Sequence, residues 1–375
     1  MKITAFVLVL LVSLPFLSAA QNSKSFQPGE IWPDNNGVHI NAHGGGILFF
    51  EGKYYWFGEH KVEGRRGNQA RVGVHCYSSE DLYKWTDEGI ALKVSDDPES
   101  PITMGCVIER PKVIYNGKTG KFVLWFHLEL KGQGYSAAQT GVAVSDTPTG
   151  PYTFLKALNP NAGEWPVGYS EELKIKTFPE NLESWTDEWL SAVKEGMFVH
   201  RDFEKGQMSR DMTLYVDEDG TAYHIHAAEE NLTLHISELN DDYTGFTGKY
   251  IRVLPAGHNE APSIFKRNGK YFMITSGCTG WDPNAARLLV SDAVMGEWKY
   301  LGNPCVGEEK DLTFHSQSTY ILPVRGKKDA FIFMADRWKP QNAIDGRYIW
   351  LPVQFNEEGT PYLEWMYKWD LSFFD

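Results

Sequence analysis

One hydrophobic pattern recurs along the chain: a turn followed by a short run of aromatic and β-branched residues. Its five copies begin at Gly52, Gly120, Gly220, Gly269 and Lys328. This pattern is typical of a β-hairpin. Another apolar strand precedes each turn, and a third strand and an outer element follow. Four strands in each of five units, without a helical period, predict an all-β fold, a five-bladed β-propeller. The alternatives are a β-sandwich and a parallel β-helix, whose repeats would be shorter.

The spacing between these units is irregular at one place. The units begin near residues 43, 109, 211, 260 and 317, and the gap from the second to the third is the longest. We therefore expect an insertion at about 156–207, between blades 2 and 3. Within it, residues 181–197 have a helical pattern. The candidate caps are Asn181, Ser184 and Thr186, and the apolar face would hold Trp185, Trp189, Leu190 and Val193. The sequence leaves open whether the insertion is a lid beside the pocket or a solvent-facing decoration.

The N-terminus has the pattern of a secretory signal peptide. Lys2 precedes an apolar run at 6–17, and small residues follow up to Ala20. The run is shorter than the ~20 residues of a membrane span, and no later stretch is apolar enough to cross a bilayer. We expect residues 1–20 to be removed near Ala20. Residues 21–375 would then be one catalytic domain, secreted or periplasmic and without a membrane span.

Composition narrows the class of partner. The chain has 49 acidic against 36 basic residues, which argues against a nucleic-acid partner. Its 13 tryptophans suit either a core rich in aromatic residues or a surface that stacks on sugar rings. Export makes disulfides between its four cysteines feasible, with the pairing open; they are Cys76, Cys106, Cys278 and Cys305.

Polar residues stand directly before each predicted inner strand. They are His43, Glu109, Asp211, Glu260 and Gln317. The inner strands of a propeller surround its axis, so these side chains are expected to converge. Burial and mutual repulsion raise the pKa of a carboxyl group and keep it protonated as a general acid. We assign Glu260 as that acid, and we expect Asp211, beside Arg210, to stay ionised and to bias the pKa or orientation of its neighbour.

Seven segments between about residues 41 and 350 carry a family resemblance. They are Asn41–Leu48, Tyr55–Glu59, Glu109–Val113, Ser209–Thr213, Asn259–Pro262, Ser276–Trp281 and Ser316–Thr319. In this order they resemble glycoside hydrolase family 43, a family of five-bladed propellers. Within that family the chain looks most like the exo-β-1,3-galactanases, which attack the β-1,3-galactan backbone of arabinogalactan.

The resemblance implies an inverting hydrolase with Glu260 as general acid. Most of the family carries an aspartate base at the start of the first blade, where this chain has Asn41-Ala-His-Gly44. The galactanases share this absence, and Gln317 matches a glutamine that they are thought to use instead. An amide is a poor base, so we expect Gln317 to position the water, helped by Glu109. The same matching places Glu59, Tyr135, Asp211, Thr279 and Trp281 around the galactose, with Arg71, Trp338 and Arg347 as weaker candidates.

Metal and cofactor predictions are sparse. His224 and His226 alternate on one strand and share a face. Without a third ligand they are better read as core residues, so no metal ligand is assigned. No cofactor is expected to be required, although the resemblance leaves open a calcium ion near the axis.

Three functions are consistent with the sequence. The first is an exo-acting inverting hydrolase that releases galactose from β-1,3-galactan, with a polysaccharide or oligosaccharide of the arabinogalactan type as partner. The second is an α-L-arabinofuranosidase or galactofuranosidase of the same family. The third is a non-catalytic carbohydrate-binding propeller, suggested by the missing aspartate. The oligomeric state stays open.

Overall fold

Antiparallel meanders dominate the computed structural model, which describes residues 24–375. The predicted signal peptide, residues 1–20, lies outside them. The first sheet has the order β1 (His43–Phe50), β2 (Lys53–Glu59), β3 (Gly73–Ser79) and β4 (Thr86–Lys93). The second has β5 (Val107–Asn116), β6 (Lys121–Glu129), β7 (Gln139–Ser145) and β8 (Thr153–Leu158).

Two more four-stranded sheets continue the repeat. The third contains β9 (Met212–Val216), β10 (Ala222–Ala228), β11 (Thr233–Leu239) and β12 (Phe246–Val253). The fourth contains β13 (Glu260–Arg267), β14 (Lys270–Ser276), β15 (Ala286–Ser291) and β16 (Lys299–Gly302). The fifth has only three strands, and a small sixth sheet accompanies it. The fifth sheet has the order β18 (Gln317–Pro323), β19 (Phe331–Arg337) and β20 (Arg347–Pro352). The sixth sheet contains β17 (Cys305–Val306), β21 (Gln354–Phe355) and β22 (Pro361–Glu364).

The prediction of a five-bladed propeller is wrong. The described residues form six sheets, so that counted by sheets the propeller has six blades. Five sheets contribute an axial strand, namely β1, β5, β9, β13 and β18, and these contact one another in a closed ring. The sixth, in the order β17-β22-β21, contacts β20 and includes the parallel pair β17 and β22. Its strands are two to four residues long, which is too short to give a period-2 pattern.

Aromatic packing joins the first sheet to the fifth. Phe26 and Trp369 exchange backbone hydrogen bonds of 2.7 and 3.2 Å, which ties the two ends of the described chain together. Beside them, Trp56 on β2 packs on Trp350 of β20 with 4.9 Å between ring centroids. Both tryptophans are fully buried, as is Trp85. Much of the tryptophan content therefore forms core between sheets, where large aromatic side chains bury the most area.

The segment between β8 and β9 carries three short helices, α1 (Glu171–Lys174), α2 (Asp187–Lys194) and α3 (Met197–Arg201). Thr186 caps α2, as its hydroxyl accepts a hydrogen bond from the backbone N–H of Trp189. The single helix predicted over 181–197 is interrupted at Gly196, whose φ of 97° ends the helical run. Trp189 and Val193 are buried as expected, whereas Trp185 precedes the helix and is 60% exposed.

Two further predictions can be compared with the described part of the chain. None of its helices has the length and apolarity needed to cross a membrane. The four cysteines, all of which lie in this part, are free thiols.

Candidate active site

A cavity of about 220 Å³ lies where the axial strands begin. Seven of the eight predicted site residues line it: Glu59, Glu109, Tyr135, Asp211, Glu260, Trp281 and Gln317. Seven other residues complete the wall: Lys61, Arg110, His127, Arg210, Asn231, Gly280 and Trp338. The volume is below the ~300–1,000 Å³ of sites for drug-sized ligands, and it suits one small polar ring.

Backbone irregularities aim the catalytic candidates into this cavity. The pairing of β5 with β6 shifts register just after Glu109, and that of β13 with β14 shifts just after Glu260. The next residues, Arg110 and Ala261, have φ of 55° and 51°, in the left-handed region. Such bulges re-aim side chains, and backbone strain of this kind concentrates at functional sites. The start of β1 has the same irregularity, because Gly44 has a positive φ and the pairing with β2 shifts register there.

Arg110 connects three sheets across the axis. Its Nε and Nη2 donate to the two carboxylate oxygens of Asp211 at 3.0 and 2.7 Å. Nη2 also donates to Gln317 Oε1 at 2.6 Å, and the guanidinium lies 5.2 Å from the centre of the Trp338 ring. The expected partner of Asp211 was Arg210. Arg210 instead donates to the carbonyl of Tyr135 at 2.7 Å.

Glu260 has the environment of a proton donor. Asn231 Nδ2 donates to its Oε1 at 2.7 Å, and Gln317 Nε2 lies 3.4 Å from its Oε2. Burial, followed by the negative charge of Asp211, raises the pKa of Glu260 to about 7, against the opposing effect of Arg110. A carboxyl group with this pKa is protonated in a large fraction of molecules near neutral pH, as a general acid requires.

Asn231 is held in place by an unusual turn. Glu229, Glu230 and Asn231 join β10 to β11 with φ of 52°, 58° and 62°, all left-handed. Arg252 grips the Glu229 carboxylate with hydrogen bonds of 2.6 and 2.7 Å. The same guanidinium donates to the carbonyls of Val193 and Lys194 at 2.6 and 2.8 Å. The last turn of α2 therefore supports the turn that holds the candidate acid.

Gln317 has a hydrogen-bond partner for both atoms of its amide. Oε1 accepts from Arg110 Nη2 at 2.6 Å and from Trp338 Nε1 at 3.0 Å. Nε2 donates to Ser276 Oγ at 2.9 Å and faces Glu260. Because both groups around Oε1 are obligate donors, the amide orientation is fixed with its oxygen toward them.

A buried acid–imidazole–acid chain supports Glu109. His127 Nδ1 lies 2.9 Å from Glu109 Oε2, and its Nε2 lies 2.9 Å from Glu129 Oε1. Burial lowers the pKa of His127, but its hydrogen bonds to the two carboxylates outweigh this and raise it to about 9. Burial by itself would raise the pKa of Glu109, but His127 and Lys61 hold this pKa well below its usual range. Tyr135 donates to Glu109 at 2.7 Å. Glu109 is therefore an ionised acceptor within the cavity.

The first sheet contributes Glu59, the last residue of β2, to the cavity. His43, opposite Glu59 in the β1–β2 pairing, is buried and stacked 5.3 Å from Tyr348, away from the cavity. Glu59 forms an ion pair with Lys61 and accepts from the backbone N–H of Arg110 at 2.9 Å. Burial raises the pKa of Glu59, with the charge of Lys61 opposing it.

Two tryptophans form the rim of the cavity. Trp281 and Trp338 meet edge to face at 5.7 Å between ring centroids, and Trp281 is 41% exposed. Thr279 lies outside the cavity lining: its hydroxyl donates to the carbonyl of Asp282 at 2.6 Å and accepts from Asn284 Nδ2 at 2.7 Å. It braces the loop that carries Trp281.

The three weaker candidates for substrate contact differ in their position relative to the cavity. Trp338 lines the cavity, whereas Arg71 and Arg347 do not. Arg347 pairs with Asp345 at 2.6 Å.

The cavity residues do not fit a divalent cation. Oxygen and nitrogen atoms of Glu109, His127 and Asp211 lie within 4.8 Å of one another, the one such group among the described residues. However, each ring nitrogen of His127 already has a carboxylate oxygen at 2.9 Å, which leaves neither nitrogen for a metal ion. Asp211 is occupied by Arg110. His224 and His226 are buried and gain no third ligand in the described chain.

Four of the lining side chains are not marked as candidates by the sequence pattern: Lys61, Arg110, His127 and Asn231. Arg110 follows Glu109 in the family-like segment Glu109–Val113, and this position is a usable signal. The other three lie at strand ends or in turns away from the inner-strand starts, so the repeat position did not mark them.

A carboxyl group with a pKa of about 7 beside an ionised carboxylate, in a small cavity at the axis of a propeller, is an arrangement suited to glycoside hydrolysis. The family model for glycosyl hydrolases family 43 matches residues 184–368. A family 43 β-1,3-galactosidase solved with galactodeoxynojirimycin is 58% identical, with a TM-score of 0.90 over 92% of this chain and 100% of that one. The chain belongs to glycoside hydrolase family 43.

Two more distant relatives are also glycosidases. An exo-β-1,3-galactanase from Phanerochaete chrysosporium, solved with galactose, is 30% identical, with a TM-score of 0.74 over 92% of this chain and 68% of that one. A curated xylosidase/arabinosidase from Thermoclostridium stercorarium is 29% identical over 235 residues, or 60% of this chain. The match spans only 43% of that relative's length.

Proposed function

We propose that this protein is an exo-acting, inverting glycoside hydrolase that releases galactose from the β-1,3-galactan backbone of arabinogalactan. The observation that carries the proposal is Glu260, with a pKa raised to about 7, facing Gln317 in a cavity sized for one ring. The similar β-1,3-galactosidase and exo-β-1,3-galactanase support galactose as the released sugar.

In the proposed reaction Glu260 protonates the glycosidic oxygen as the bond to the anomeric carbon breaks. Inversion requires a water on the opposite face of the ring. Asp211, which accepts hydrogen bonds from Arg110, raises the pKa of Glu260, and Asn231 fixes the direction of the Glu260 carboxyl group. These residues separate two tasks: Asp211 sets the acid strength and Asn231 sets its geometry.

Gln317 positions rather than deprotonates the water in this proposal. Arg110 and Trp338 donate to its Oε1, which leaves that oxygen little basicity, and its Nε2 is already a donor. The ionised Glu109 is the acceptor that remains, although its lowered pKa makes it a weak base. We therefore place the water between Gln317 and Glu109, with proton transfer following bond cleavage.

The leader at residues 1–20 supports a further part of the proposal. A charged start, an apolar core and small residues at its exit direct proteins to the secretory route. We propose that the enzyme is exported and meets its polysaccharide outside the cytoplasm.

Release of sugar from defined substrates tests the function. Wild type and Glu260→Gln are compared on β-1,3-galactobiose, an aryl α-L-arabinofuranoside and an aryl β-D-galactofuranoside. Galactose release from the first substrate alone, lost in the variant, is the expected result. Release of arabinose or galactofuranose alone would favour the alternative hydrolase, in line with the xylosidase/arabinosidase relative. Binding of galactobiose without turnover would identify a carbohydrate-binding propeller.

A further inference from the structure

A second cavity adjoins the active site. It has a volume of about 250 Å³ and shares Lys61, Tyr135, Trp281 and Trp338 with the catalytic cavity. The rest of its wall consists of Arg65, Arg66, Asn68, Gln69, Val107, Gly134, Lys339, Pro340 and Ala343. A group attached to a sugar in the catalytic cavity can therefore enter it past the two tryptophans.

This second cavity is strongly basic. Lys61, Arg65, Arg66 and Lys339 line it, and no carboxylate does. Lys61 is neutralised by Glu59, and Lys339 lies 3.6 Å from Asp345. Within the described chain, Arg65 and Arg66 form no ion pair, and both are exposed to solvent. Arg65 and Arg66 therefore give this cavity a net positive charge, although the protein as a whole has 49 acidic and 36 basic residues.

The two arginines sit on a loop that is fixed against the opposite wall. The backbone N–H of Gly64 donates to Asn342 Oδ1 at 2.8 Å, and that of Ala343 donates to the carbonyl of Gly64 at 3.3 Å. The loops touch closely at Gly67, where a Cβ would lie 2.7 Å from that of Ala343. The loop of Arg65 and Arg66 is therefore joined to the segment that follows Trp338 and Lys339.

We propose that this second cavity is an accessory subsite for an anionic sugar substituent, such as a uronic acid, carried by the galactose in the active site. Arginine forks match the geometry of a carboxylate, and the aromatic walls give a sugar ring a face to lie on. The inference rests on the proposed function and adds a preference for acidic branches.

Turnover of matched substrates tests this subsite. Three β-1,3-galacto-oligosaccharides are compared: unbranched, with a uronic acid branch, and with the same branch reduced to its neutral alcohol. In Arg65→Ala/Arg66→Ala we expect kcat/KM on the uronate substrate to fall about 10- to 100-fold more than on the other two. The selective loss should shrink at high ionic strength. A branch carrying a sulfate ester shows whether the cavity recognises carboxylates or anions in general.

The control is Lys93→Ala/Lys299→Ala, which removes two exposed cations from the outer strands β4 and β16. It should leave the ratio between the three substrates as in wild type. Equal losses on all three substrates in the arginine variant, or none, would overturn the subsite.

Calorimetric binding separates this inference from the proposed function. Glu260→Gln and the same variant with both arginines replaced are titrated with the uronate oligosaccharide. Weaker binding by the variant that also lacks both arginines than by Glu260→Gln supports the subsite, and equal binding by the two proteins refutes it. If the wild type releases no galactose from the unbranched substrate, the proposed function fails while this titration still decides the subsite.

Discussion

Replacing Asp211 by asparagine should move the acid's titration to lower pH. The change preserves shape but removes the negative charge that, after burial, does most to raise the pKa of Glu260. It also leaves the Arg110 guanidinium without its carboxylate partner, so the positive charge that lowers the same pKa acts unopposed. Both effects have the same sign.

The size of the shift follows from the geometry. A neighbouring charge typically moves a carboxyl pKa by about 1–3 units, and here one like charge is lost near a partly buried acid. Because protonated Glu260 is the active form, kcat/KM of the wild type should fall as the pH rises through about 7. In Asp211→Asn this fall should begin about one pH unit or more lower.

The assay is the pH profile of kcat/KM on β-1,3-galactobiose, from which the alkaline limb is read independently of the absolute rate. Arg110→Met is the companion variant of opposite sign, since it removes the cation and should move the limb upward. Circular dichroism at each pH establishes that both proteins stay folded. An alkaline limb that stays in place in Asp211→Asn, or moves upward, would refute the coupling of these two carboxyl groups.

Three further changes test individual contacts. Asn231→Ala removes the 2.7 Å hydrogen bond to Glu260 and should lower kcat by about tenfold with a smaller effect on KM; a change in KM alone would contradict its positioning role. Arg252→Met leaves the buried Glu229 without its cation and should cost about 3–5 kcal/mol in urea unfolding, whereas Lys249→Met, an exposed lysine on the same strand, should cost little. His127 has a pKa of about 9 in the folded protein, above its value in the unfolded chain. The stability that it contributes is therefore full below about pH 6.5 and is lost as the pH rises through 9. In His127→Gln this part of the pH dependence of the melting temperature should disappear.

The repeat made much of the fold predictable. The turn and strand pattern of each hairpin located the axial strands, and counting from it placed Glu109, Asp211, Glu260 and Gln317 at equivalent positions around one cavity. The sixth sheet was missed because its pairing joins residues such as Cys305 and Leu363, which are far apart in sequence and lie in very short strands. Strands of this length depend on tertiary contacts and leave no periodic signal.

The pairing of charges within the site was less predictable. Adjacency in sequence suggests Arg210 as the partner of Asp211. In the structure the partner is Arg110, which has a left-handed backbone and whose side chain reaches Asp211 across the axis. Asn231 reaches Glu260 from a turn between two other strands, so no spacing in the sequence connects them. Thr279 matched a family position, yet here its hydroxyl is used within its own loop.

The stereochemistry of the first product tests the central claim most directly. Proton NMR follows the anomeric signals during hydrolysis of β-1,3-galactobiose, before mutarotation mixes the two forms. An inverting reaction by Glu260 and a water held at Gln317 predicts that α-galactose appears first. Initial formation of β-galactose would mean retention through a covalent intermediate, and would contradict the roles assigned to these two residues.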